Sequence, residues 1–122
     1  MMTTIKRPIK NALILIADID AGEIPSDMGD KVVASNRYCI AVGTLPDVDG
    51  ETEISISDIN NPPESAPLKA FQGILKTRSC HVAVKSVLLE NILLIPVSRE
   101  ENELEIWTND KFEPSKIVII IK

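Results

Sequence analysis

The chain has 122 residues, of which 44% are hydrophobic, 25% charged and 3% aromatic, and it carries a net charge of −5. That size supports one hydrophobic core without covalent staples, and the apolar content excludes an intrinsically disordered chain. The acidic balance argues against direct binding to nucleic-acid backbones or anionic membrane surfaces, which need a basic face; it is compatible with a basic protein partner, and equally with an acidity that only keeps the protein soluble.

A single domain over residues 1–122 is expected. Eighteen Ile and nine Val stand against two Phe, one Tyr and one Trp. Branching at Cβ stiffens the side chain and fits a pleated surface, so composition leans to β structure. At the N-terminus, Lys6, Arg7 and Lys10 precede an apolar run, as in a secretory signal. The run from Ala12 to Ala17 is too short for one, and Asp18 and Asp20 follow at once. No apolar stretch approaches a membrane span. A cytoplasmic protein is expected, with Cys39 and Cys80 as reduced, packed thiols, because no CxxC spacing joins them.

"KNALILIAD", Lys10 to Asp18, is the first expected strand. A long polar loop with Gly22, Pro25 and Gly29 follows. "RYCIAVGTL" and "ETEISISD" are strands flanking the acidic "LPDVDG". A hairpin loop over Pro46 to Gly50 would pair Thr44 with Thr52, Val42 with Ile54 and Ile40 with Ile56. That register gives one clean apolar face, and it keeps Pro46 out of the ladder, where it would lack a donor. Cys39, Ala41 and Gly43 would then share the other face with Ser57, Ser55 and Glu53. "INNPPESAPLKAFQG" reads as a second long loop whose tail, Ala66 to Gly73, has room for one helical turn. From His81 the chain reads as strand, tight turn at Glu90-Asn91, and strand. "SREEN" is a charged turn, "ELEIW" a strand, "TNDKFEPS" a turn and "KIVIIIK" a last strand. That last run is apolar on both faces, so it belongs in a sheet centre covered on both sides. The pattern predicts an all-β protein, a β-sandwich of about seven to eight mostly antiparallel strands.

The acidic stretch invites a calcium reading, but an EF-hand loop needs glycine at its sixth position. Counted from Asp47 the glycine falls fourth, and counted from Asp18 it falls fifth. Loops after Asp18 and around Asp49 would lie at opposite ends if their strands are antiparallel neighbours, and could not share an ion. No metal or other cofactor is expected. His81 adjoins Cys80, but neighbours on a strand point to opposite faces and cannot form one dyad. Ser26, Ser35 and Ser79 lie in no nucleophile motif, and no phosphate loop is present. Trp107 shares a strand face with Glu103 and Glu105, either as an exposed anchor or half covered by a loop. The candidate partner-binding residues are Asp47, Asp49, Glu51 and Glu53 at the first acidic turn, Glu100 and Glu101 in the charged turn, and Trp107. These carboxylates exceed what turn chemistry requires, and Trp favours interface hot spots.

Two stretches carry a resemblance. One is Pro25-Ser26-Asp27 leading into Val33 and Ala34, then a strand ending in "VGT". The other is the final pair of strands, joined through Glu113-Pro114. Together they cover about half the chain and resemble the competence protein J family, small acidic bacterial β-sandwich proteins that inhibit a nuclease. The resemblance implies an inhibitor and not an enzyme, and it transfers no active-site residue. Two other classes stay open: a C2-like calcium-dependent module, and a small-ligand binder or enzyme whose site the sequence hides.

Overall fold

The structure, a computed structural model, describes residues 2–20, 25, 32–58 and 64–122. Most of the polar stretch after Asp20, including Ser26 and Asp27, lies outside the described residues, as does the first part of the Pro-rich loop. Among the described residues are ten strands: β1 (Met2–Arg7), β2 (Leu13–Asp18), β3 (Val33–Ser35), β4 (Cys39–Gly43), β5 (Thr52–Ser57), β6 (Leu68–Lys76), β7 (His81–Lys85), β8 (Asn91–Pro96), β9 (Glu101–Thr108) and β10 (Lys116–Ile121). They form two five-stranded sheets, ordered β1-β5-β10-β9-β6 and β3-β4-β2-β7-β8. Only β5 and β10 pair in parallel. The expected β-sandwich is therefore present, with more strands than the sequence suggested.

The final apolar run behaves as its two-sided pattern requires. On β10, Ile117 and Ile119 enter the central core with Ile54, Ile56, Leu104 and Ile106. Val118 and Ile120 face outward and pack with Ala66 and Trp107. Strand β2 does the same in the other sheet, with Ile14 and Ile16 inside and Leu15 and Ala17 packed outside against Cys39 and Ala41. Two sheets, each with a centre covered on both faces, account for the Ile-rich, aromatic-poor composition.

Three local expectations are corrected. First, β4 and β5 are not a hairpin. β4 pairs with β2 and β3, whereas β5 pairs with β1 and β10. Ile40, Val42, Ile54 and Ile56 do line one core, but from facing sheets. A 3-10 turn at Asp47–Asp49 and Gly50, at φ 141°, carry the chain across. The Leu45 N–H donates to the Pro114 carbonyl at 2.9 Å, not to a β5 partner.

Second, most of the tail read as a helical turn, from Leu68 to Gly73, is part of strand β6, paired along β9 with a bulge between Lys69 and Phe71. Phe71 turns inward over Gly73, where an added Cβ would meet its ring at 2.8 Å. Ladder hydrogen bonds and this packing outweigh a weak local propensity. Third, the β7–β8 turn is Ser86 to Glu90, earlier than expected. Its Ser86 hydroxyl accepts the N–H groups of Leu88 and Glu90, and Asn91 already belongs to β8.

Candidate partner-binding surface

Four connections meet at one end of the sandwich: residues 8–12, 44–51, 86–90 and 109–115. Backbone bonds join three of them, residues 8–12, 44–51 and 109–115. Thr44 N–H donates to the Ala12 carbonyl at 2.9 Å, and Glu53 N–H donates to the Ser115 carbonyl at 2.8 Å. A shallow cleft separates Arg7–Lys10 from Ser86–Ile92. Asp47, Asp49 and Glu51 are exposed here, and Glu53 is half-buried with Lys116 Nζ at 3.6 Å from its carboxylate. The first acidic group of the sequence reading thus stays together on the surface.

The β9–β10 connection at this end is built by its own side chains. Asn109 Oδ1 accepts the N–H groups of Ser115 and Lys116, both at 3.0 Å. Asp110 Oδ2 accepts those of Phe112 at 2.9 Å and Glu113 at 2.8 Å. These two backbone donors, Glu113 and then Phe112, hold the Asp110 carboxyl below its ordinary pKa. A depressed folded value means the ordering it supplies is complete above the ordinary value of about 3.9 and is lost as pH falls through the lower folded value. The Phe112 and Glu113 amide resonances should therefore shift with a midpoint below that ordinary value, and Asp110→Asn should abolish the step. A midpoint at or above it would show that the carboxylate does not hold the turn.

Glu100 and Glu101 do not join this surface. Glu101 begins β9 and Glu100 directly precedes it, at the opposite end, because β9 runs antiparallel to β10. Glu101 lies 3.7 Å from Lys76. Around Glu100 the loops are knitted by Thr77, whose N–H donates to the Glu100 carbonyl, and by buried Asn102, whose amide donates to Thr77 Oγ1 and the Arg99 carbonyl. Arg37, Arg78 and Arg99 sit on the loops of this second end, so its acids are interspersed with cations. A cleft of about 290 Å³ opens here, lined by Ile56, Ile95 and Ile121 with Asp58, Arg99 and Lys122 on its walls.

Trp107 is half covered by its own chain, against Ala66, Val118 and Ile120 on the outer face of the first sheet. Its indole N–H donates to Glu105 at 3.2 Å, and Lys69 Nζ sits 5.7 Å from the ring centroid. Burial disfavours the charged Glu105 carboxyl, but the indole N–H, Lys122 at 3.1 Å and Lys69 outweigh it and lower its pKa. Of the two readings of Trp107, the loop-covered one describes its position.

The other candidate chemistry is used structurally. The Cys39 thiol is buried and its pKa is pushed up to about 11 by desolvation, against a smaller opposing pull from Lys85. Lys85 is itself buried and donates to the Ile19 carbonyl at 2.6 Å. His81 Nδ1 bonds the Ser79 carbonyl at 2.7 Å, and Ser79 gives its hydroxyl to Asp20 and its N–H to Asp18. β2 and β4 are antiparallel neighbours, so Asp18 at the end of β2 and Asp49 after β4 lie at opposite ends of the sandwich. Among the described residues no group of three or more His, Cys, Asp or Glu side chains is placed to hold a metal. No helix among them is long and apolar enough to cross a membrane.

The sequence reading passed over Phe112, Val48, Leu88 and Leu89, all exposed on the turns of the acidic end. The only hint was an aromatic residue within a turn, "NDKFEPS", where polar residues normally suffice.

No protein-family model matches the chain, and no curated protein matches it significantly. A solved structure does share its fold: ComJ from Bacillus subtilis, described as an inhibitor of the DNA-degrading activity of NucA. The match covers 99% of this chain and 97% of that chain, with a TM-score of 0.74 at 12% sequence identity. The likeness to competence protein J read from two short stretches therefore extends, as a fold, over the whole chain.

Proposed function

We propose that this protein is a non-enzymatic inhibitor that binds a nuclease and masks it. The observation that carries this reading is the fold shared with ComJ from end to end of both chains. The acidic end supports it physically. A nuclease must present a basic groove to a polyanion, and fixed carboxylates on preorganised turns offer that groove a competing negative surface. Opposite fields also speed the encounter. A cytoplasmic setting suits the two free thiols, Cys39 and Cys80.

The test is inhibition itself. The nuclease most similar to NucA from the same genome is assayed on linear DNA while the protein is titrated in. Loss of degradation near a one-to-one ratio is expected. Undiminished degradation at a large molar excess would overturn the proposal.

A further inference from the structure

We infer that the binding epitope of this inhibitor is centred on the exposed side chains of Phe112 and Val48, with Phe112 as the anchor that enters an apolar socket on a basic partner. The inference rests on the proposed function and names the surface that carries it out. Phe112 is 75% exposed and Val48 88%, and Leu88 and Leu89 on the β7–β8 turn at the same end are 70% and 54% exposed. Scattered surface hydrophobics need no explanation, but these four lie at one end of the sandwich, and the turns that hold Phe112 and Val48 adjoin through the hydrogen bond from Leu45 N–H to the Pro114 carbonyl.

The backbone that presents them is tied down by hydrogen bonds. The Asp110 carboxylate fixes the Phe112 backbone, the Leu45 N–H ties the Val48 turn to Pro114, and the Ser86 hydroxyl fixes Leu88. A group already held in place loses little freedom on docking, and buried aromatic side chains dominate interface energetics.

The partner's chemistry follows from what frames the anchors. The four connections carry six carboxylates, Asp47, Asp49, Glu51, Glu90, Asp110 and Glu113, against Lys10 and Lys111, with Arg7 and Lys116 at the strand ends beside them, so the rim is negative on balance. A protein with a hydrophobic socket ringed by Lys and Arg complements that rim. A second copy of this chain does not, because its own end would repel. Trp107 is less suited to the role, because it packs on its own sheet and its N–H is already bonded to Glu105.

The test measures binding of wild type and three variants to the NucA-like nuclease by surface plasmon resonance. Phe112→Ala should weaken affinity roughly thirtyfold, mostly through faster dissociation, at an unchanged melting temperature. Val48→Ala should weaken it by a smaller factor. The double variant Glu100→Gln/Glu101→Gln, at the far end, should bind like wild type. Tight wild-type binding with Phe112→Ala within twofold of it would overturn the epitope and leave the inhibitor reading standing. Absence of wild-type binding would overturn the inhibitor reading and the epitope with it.

Discussion

Ile119→Ala is expected to lower the free energy of unfolding by about 2–5 kcal/mol. Ile119 is 0% exposed and sits on β10, the central strand of its sheet. Its lateral neighbours are Ile56 on β5 and Ile106 on β9, both in the same core. Truncation removes the transfer free energy of three carbons and leaves a cavity. The strand cannot sink to fill it, because β10 is hydrogen-bonded on both sides and packed on its outer face by Ala66 and Trp107. Equilibrium denaturation in urea should show a lower midpoint at constant m-value. Val118→Ala, on the outer face of the same strand, should cost less, since only a short segment covers it. A loss under 1 kcal/mol for Ile119→Ala would mean that the two sheets are not closely packed at their centre.

The second large effect is kinetic. The variant with Asp47 and Asp49 changed to Asn, and Glu51 and Glu53 to Gln, should fold normally. Three of these carboxylates are exposed, and the fourth loses only a partly exposed pair with Lys116, of a kind worth about 0–1 kcal/mol. It should associate with the nuclease about tenfold more slowly at low ionic strength, because charges outside the buried centre of an interface act mainly through steering. The deficit should shrink as salt is raised, since a Debye length of about 8 Å at physiological strength already screens much of the field. Dissociation should change little. That separates this rim effect from loss of the Phe112 anchor, which should appear in the off-rate. Wild-type association across the whole salt range would remove electrostatic masking from the proposed function.

The two-residue period of a strand settled which side of a sheet each residue faces. It put Ile40, Val42, Ile54 and Ile56 in the core, Leu104 and Ile106 opposite Glu103, Glu105 and Trp107, and β10 in a centre covered on both sides. Those assignments need only local geometry and the preference of apolar groups to leave water. The same period could not choose a partner for β5, because an inward residue looks the same whether its neighbour lies beside it or across the sandwich. Strand β1 was missed for a related reason. It is an edge strand reading "MTTIKR", whose short inward set is recognisable only once β5 lies beside it.

Sequence composition fixed an acidic, β-rich chain, and two short stretches pointed to an inhibitor family whose fold the chain shares. Where the charges gather was a tertiary outcome. The antiparallel run of β9 sent Glu100 and Glu101 to the end that holds Arg37, Arg78 and Arg99, while the crossing from β4 to β5 brought Asp47 and Asp49 beside the turn that holds Phe112. A charged turn has the same local pattern at either end of a sandwich. Only the pairing of strands far apart in sequence decides which turns become neighbours.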